Sequence, residues 1–182
     1  MQAYPSFTPT PGGMPPEVSN WFNTVDRDRD GKINADELKS VLVNAQGKHF
    51  SDACCRLMVN MFDADLNGTI NESEFGQLYI YINQWLSVFR TYDRNQSGHI
   101  DEQELSQALQ QMGFRFTPDF VKYLITRADV EKKNNIDVDQ FMVLCVQLQR
   151  FTESFRQRDV EGKGEIQIGF EEFLRVALEV SL

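Results

Sequence analysis

At 182 residues, 41% hydrophobic and 25% charged, the chain has the composition of a soluble globular protein, with length for one sizeable core or two small domains sharing a surface. Its 27 acids against 18 bases give a formal charge of −9, which disfavours non-specific nucleic-acid binding, where Lys and Arg must neutralise phosphates, and suits a binder of cations or of a basic partner. The N-terminus lacks a basic start followed by an apolar run, and no stretch reaches the roughly 18 apolar residues of a membrane span, so a cytoplasmic protein is expected.

Five of the six prolines fall in "MQAYPSFTPTPGGMPPE", with Gly12 and Gly13, so residues 1–16 are expected to form a flexible tail in which Tyr4 and Phe7 either meet a partner or stay solvated. Val18, Trp21, Phe22 and Val25 then recur at helical intervals, and Leu38, Val41 and Leu42 mark a second helix. "NAQGKHFS" supplies Gly47 as a helix stop and Ser51 as the cap of a third helix carrying Leu57, Met58, Met61 and Phe62. Cys54, Cys55 and Cys145 have no zinc spacing and are expected to be reduced packing residues.

"SEFGQLYIYINQWLSVFRTYD" places Phe75, Leu78, Ile82, Trp85, Leu86 and Phe89 on one helical face without a proline. After Leu105, Ala108, Leu109 and Met112, "MGFRFTPD" stops a helix at Gly113 and restarts one with Thr117 as cap and Pro118 at the first position. "FMVLCVQLQRFTESFRQRD" repeats the long pattern with Phe141, Leu144, Cys145, Leu148, Phe151 and Phe155. Each long segment should be one helix of about 27 Å at about 1.5 Å per residue.

Between these helices lie five acid-started loops with isoleucine eighth, beginning at Asp26, Asp63, Asp93, Asp129 and Asp159, spaced 37, 30, 36 and 30 residues apart. A spacing of 30 fits one long helix shared by two loops, and the wider spacings admit a turn. The prediction is an all-α fold of five helix-loop-helix units at about 17–46, 51–84, 75–113, 118–150 and 141–182, with about eight helices and short paired loop strands.

A twelve-residue calcium loop takes side-chain oxygens from positions 1, 3 and 5, a backbone carbonyl from 7, often a water at 9, and a bidentate glutamate from 12, with glycine at 6 for the turn. "DRDRDGKINADE" supplies Asp26, Asp28, Asp30, Gly31, Asn34 and Glu37, with Lys32 offering its carbonyl. "DADLNGTINESE" supplies Asp63, Asp65, Asn67, Gly68, Asn71 and Glu74, with Thr69 at position 7. "DRNQSGHIDEQE" supplies Asp93, Asn95, Ser97, Gly98, Asp101 and Glu104, with the carbonyl of His99. Up to three calcium ions are therefore expected. Carboxylate count ranks the first loop tightest, Asp101 counting toward the third.

"DVEKKNNIDVDQ" has Lys133 at position 5, Asn134 for the glycine and Gln140 at 12; "DVEGKGEIQIGF" has Lys163 and Phe170 at positions 5 and 12. Neither offers the bidentate carboxylate, so neither should hold calcium. Their lysines either approach Asp129 and Asp159 and hold the loop without metal, or point into solvent. Such loops join in pairs near position 8, so the fifth is left over. Its strand residues Ile166 and Ile168 and the helical face of Phe170, Phe173, Leu174, Ala177 and Val180 would expose edge hydrogen bonds and apolar surface, which a second copy would bury.

With its 37, 30, 36, 30 rhythm and metal-free fifth loop, the sequence over residues 17–182 resembles the penta-EF-hand family. The resemblance implies dimerisation through the fifth hand, with another copy or a related chain, and calcium-dependent association with protein partners, Pro-rich peptides among them. It also implies a cytoplasmic protein recruited to endoplasmic reticulum or vesicle membranes when calcium rises, as an adaptor in vesicle trafficking or calcium signalling. A passive buffer and the regulatory subunit of a calpain-like protease are the alternatives. Catalysis by the chain itself is not expected, since His49 and His99 lie in a linker and a metal loop.

Overall fold

A computed structural model of the protein describes residues 16–181. Residues 1–15, which hold Tyr4 and Phe7 and most of the expected tail, lie outside the described residues, as does the side chain of Val180. Pro16 is the first residue of a helix.

Among the described residues eight helices follow one another: α1 (Pro16–Val25), α2 (Ala35–Val41), α3 (Asp52–Phe62), α4 (Glu72–Tyr92), α5 (Glu102–Gln111), α6 (Pro118–Ala128), α7 (Val138–Arg158) and α8 (Phe170–Ser181). The two long ones, α4 and α7, have 21 residues each, and each leaves one loop and enters the next. Their inner faces meet at the centre. Trp85 of α4 is fully buried and sets its ring edge-on to Phe141 of α7 at 5.8 Å, with Phe89 at the same distance from Phe141. Phe22 of α1 closes on Phe75 of α4 at 5.6 Å. Cys54, Cys55 and Cys145 are free thiols buried in this core, as expected.

The loops pair near position 8, as expected. Ile33 and Ile70 exchange both backbone hydrogen bonds at 2.8 Å, joining the first and second loops. Strands β1 (Ile100–Asp101) and β2 (Asn135–Ile136) are antiparallel with Ile100 opposite Ile136, joining the third and fourth. All four isoleucines have no exposed surface, so each bridge is a buried ladder. Among the described residues no strand pairs with the fifth loop, whose Ile166 and Ile168 are only half-buried.

The helix ends follow capping chemistry. Ser51 caps α3 by accepting the Cys54 amide, and Thr117 caps α6 ahead of Pro118. Gly113, at φ +97°, ends α5 in a Schellman arrangement, with Gly113 N–H donating to Gln110 O and Phe114 N–H to Leu109 O. Gly47 departs from expectation. Helix α2 stops at Leu42, and Gly47 turns a small hairpin in which Val43 bridges His49 and the Asn44 side chain accepts the amides of Gln46 and Lys48. Asparagine at the first position of that turn competes with continued helix. Trp21 and Phe151, read as core from their spacing, are exposed at 50% and 45%, because α1 and the end of α7 turn those faces away from the bundle.

Candidate metal centres

Each loop is shaped by its backbone first. Positions 4 and 6 take left-handed φ in all five: Arg29 and Gly31, Leu66 and Gly68, Gln96 and Gly98, Lys132 and Asn134, Gly162 and Gly164. That double reversal lets the amide of residue 6 return to the carboxylate of residue 1. Gly31, Gly68 and Gly98 donate to Asp26, Asp63 and Asp93 at 3.0, 2.7 and 2.9 Å.

Positions 5 and 7 are tied next. The amides of Lys32, Thr69 and His99 donate to the side chains of Asp30, Asn67 and Ser97 at 2.8, 2.8 and 3.2 Å. The His99 carbonyl accepts the Ser97 hydroxyl at 3.1 Å, which places the oxygens of positions 5 and 7 of the third loop side by side.

Position 12 completes each loop. Glu37 accepts the amides of Arg27 and Asn34 at 3.0 Å each. Glu74 accepts Ala64 at 3.0 Å and Asn71 at 2.9 Å, and Glu104 accepts Arg94 at 3.0 Å and Asp101 at 3.1 Å. Each glutamate thus has both oxygens turned back to its loop from the first turn of the exit helix. Asn34, Asn71 and Asp101 complete capping boxes there. Asp101 is therefore occupied by the α5 terminus, and the third loop turns only Asp93 and Glu104 inward as carboxylates.

The electrostatics of these loops call for a cation. Asp26, Glu37, Asp63, Glu74, Asp93 and Glu104 are all buried, and among the described residues none of the six makes an ion pair. Carboxylate oxygens of Asp26, Asp28 and Asp30 lie within 4.8 Å of one another, as do those of Asp63, Asp65 and Glu74. Asp26 Oδ1 is buried with no hydrogen-bond partner, an orphaned acceptor in a polar loop. Burial pushes the Asp63 carboxyl up, but the amides of Gly68 and Asn67 outweigh it and hold the group below its ordinary range, as an anion. Buried carboxylates, neutral oxygens and no base suit calcium, a hard cation that takes oxygen ligands.

The other two loops solve the same charge problem with lysine. The ammonium of Lys133 pairs with Glu131 at 2.5 Å, and that of Lys163 pairs with Glu161. Among the described residues no ion pair joins either lysine to the position 1 acid, which accepts a loop amide: Asn134 to Asp129 at 2.6 Å and Gly164 to Asp159 at 2.7 Å. The ammonium thus pairs at position 3 rather than position 1. Gln140 accepts the Asp137 amide at 2.9 Å, half of the capping role of a glutamate, while Phe170 at the same place in the fifth loop is 73% exposed.

Sequence reasoning missed a second set of residues. Lys48, in the α2–α3 hairpin, pairs with Glu131 and approaches Asp137 at 3.4 Å, and His99 meets Asp137 at 2.7 Å. Lys48 lies 83 positions from Glu131 in the chain, so no local spacing signals the contact. On the fifth hand, Phe173 and Leu174 are exposed at 54% and 40%, and Ala177 is half-buried. Arg158 anchors α8 to α7 by pairing with Glu172 at 2.6 and 2.9 Å.

A family model described as an EF-hand domain pair matches residues 20–80 and again 82–146. Peflin of Homo sapiens is 41% identical over 168 residues, covering 90% of this chain and 59% of that protein. Peflin of Danio rerio is 38% identical over 169 residues, covering 92% and 63%. The chain thus spans about three fifths of the length of these peflins. Sorcin of Homo sapiens is 36% identical over 174 residues, covering 93% of this chain and 86% of the sorcin. The solved structure of a homolog of programmed cell death 6 protein from Leishmania major Friedlin superposes with a TM-score of 0.79 at 26% identity, covering 90% of this chain and 93% of that one. Five helix-loop-helix units in the observed rhythm, matched to these relatives over nine tenths of the sequence, show that the chain belongs to the penta-EF-hand family of calcium-binding proteins.

Proposed function

We propose that this protein is a calcium sensor and adaptor that binds calcium at its first three loops and dimerises through its fifth hand. One contrast carries the reading. The loops with a glutamate at position 12 bury carboxylates that no base neutralises, whereas the two without it pair their position 3 acid with a lysine. Calcium supplies the missing positive charge through Asp26, Asp28, Asp30 and Glu37; Asp63, Asp65, Asn67 and Glu74; and Asp93, Asn95, Ser97 and Glu104, with the carbonyls of Lys32, Thr69 and His99. Calcium-dependent shifts of the exit helices then alter the surface offered to a partner, as in other sensor hands.

The fifth hand supports assembly. Its loop has no ladder partner among the described residues, and Phe170, Phe173, Leu174 and Leu178 expose an apolar face on one helix. A second copy or a related hand, meeting through Ile166, Ile168 and this face, would pair the strand and cover the helix together. Calcium-dependent recruitment from the cytoplasm to endoplasmic reticulum or vesicle membranes, through protein partners, belongs to the same reading.

The chemistry argues against a protease of its own. Burial pushes the thiols of Cys54 and Cys145 well up and that of Cys55 up to about 12, the opposite of an activated nucleophile. Sedimentation equilibrium and calorimetry on the full chain test the proposal. Three calcium ions per chain and twice the chain mass are expected; a monomer at all calcium levels would remove the dimer, and fewer than three ions would remove the three-site assignment.

A further inference from the structure

The geometry points to Lys48 as a clamp that ties the α2–α3 hairpin to two acids of the fourth loop, so that calcium at the third loop is felt by the first two hands. Lys48 meets Glu131 at position 3 and Asp137 at position 9, and Lys133 at position 5 supplies the second ammonium. Positions 3 and 9 of the loop are therefore bridged by a lysine delivered from another hand.

The hairpin that delivers Lys48 is braced. Asn44 N–H donates to Lys48 O at 2.8 Å, Gly47 N–H to Asn44 O at 3.0 Å, and Phe50 N–H to Leu42 O at 3.1 Å. Its tip also touches the third loop. The Gln46 side-chain Nε2 donates to Ser97 O at 3.3 Å, and a methyl group added to Gly98 would lie 2.0 Å from that same nitrogen, so this side chain is packed directly on the loop's turn. At its far end the Ser51 amide donates to Asp139 of α7 at 3.0 Å.

The contact points bear on the third loop where it would change. Ser97 and His99 supply the position 5 and position 7 oxygens; the carbonyl of Ser97 takes Gln46, and the ring of His99 takes the same Asp137 that takes Lys48. Settling those peptides around an ion would brace both contacts at once, and binding that braces a segment is reciprocally strengthened by it. This inference rests on the calcium reading of the third loop proposed above.

Hydrogen exchange of the full chain at the amides of residues 43–50, with calcium and with chelator, tests it. In the natural sequence calcium is expected to slow these amides about fivefold or more, the lower end of ordinary coupling between sites. Glu104→Ala, which removes the third-loop ion alone, should abolish most of that slowing. Lys48→Met should abolish it too while keeping the calorimetric stoichiometry, and Lys48→Arg should retain it. Loss of one ion in Glu104→Ala with unaltered hairpin protection would overturn the coupling alone. Unchanged stoichiometry in Glu104→Ala would overturn the third-loop assignment and the coupling with it. Full slowing in Lys48→Met would show that the lysine is not the clamp.

Discussion

Glu104→Gln separates the two jobs of a position 12 glutamate, and the protein contains its own control. Glu104 accepts the amides of Arg94 and Asp101 through different oxygens, so it both caps α5 and faces the loop. Gln140 at the same place in the fourth loop still accepts its capping amide, from Asp137 at 2.9 Å. A carboxamide therefore keeps the cap and forfeits the second acceptor oxygen. Without calcium the variant loses one hydrogen bond worth about 1 kcal/mol. Its melting temperature should stay within about 2–4 °C of the natural chain, given the usual sensitivity at this size. With calcium at 100 times the dissociation constant, each filled site adds about 2.7 kcal/mol. Losing one site should then lower the calcium-bound melting temperature by roughly 5–11 °C. Scanning calorimetry in chelator and in calcium reads both numbers. Equal losses in the two conditions would show that Glu104 acts only as a cap and would refute the ligand assignment.

The Glu131 carboxyl is held down to about 2, first by its hydrogen bond to Lys133 and then by Lys48, from an ordinary 4.5. Because the folded value is depressed, this pairing contributes fully above about pH 4.5 and fades as the pH falls toward about 2. Carboxyl NMR titration should show Glu131 returning toward its ordinary range in Lys133→Met; an unmoved midpoint would break the assignment. With all three cysteines buried and burial raising their thiol pKa values, none should react quickly with an aromatic disulfide at pH 8 in the folded protein, and three should react in denaturant. Fast labelling of a folded thiol would contradict the packing. Phe173→Asp, at a half-exposed position on α8, should leave the circular dichroism spectrum intact and shift sedimentation mass from dimer to monomer. A dimer persisting in that variant would place the interface elsewhere.

The candidate calcium loops were legible because ligation ties residue type to position. An aspartate, a glycine and a glutamate at positions 1, 6 and 12 recur in three loops, and Asn134 fills the left-handed place in the fourth where asparagine is tolerated. The long helices α4 and α7 were legible from apolar spacing without proline. Position 4 was not, since Arg29, Leu66, Gln96 and Lys132 share the left-handed conformation without sharing any preference for it. The α2 stop was hidden because a glycine within a turn looks the same as one just past a helix. The partners of Lys133 and Lys163 were left open between the position 1 acid and solvent, and both ammonium groups, largely exposed, pair at position 3. Lys48 could not be seen at all, as its partners lie in another hand.

The loop fold is therefore separable from the ion. Asp129 and Asp159 accept the position 6 amide as Asp26, Asp63 and Asp93 do, and the left-handed pair at positions 4 and 6 persists in loops that lack a bidentate acid. If backbone and position 1 set the shape, positions 5 and 12 alone decide which cation enters. Lys133→Ser with Gln140→Glu would restore both in the fourth loop, over a backbone already bent for calcium. Calorimetry should then find one additional ion per chain. Lys48 would still compete for Glu131 and Asp137, so adding Lys48→Met should tighten the new site. An unchanged stoichiometry in the triple variant would mean that the fourth loop differs from the first three in more than its ligands.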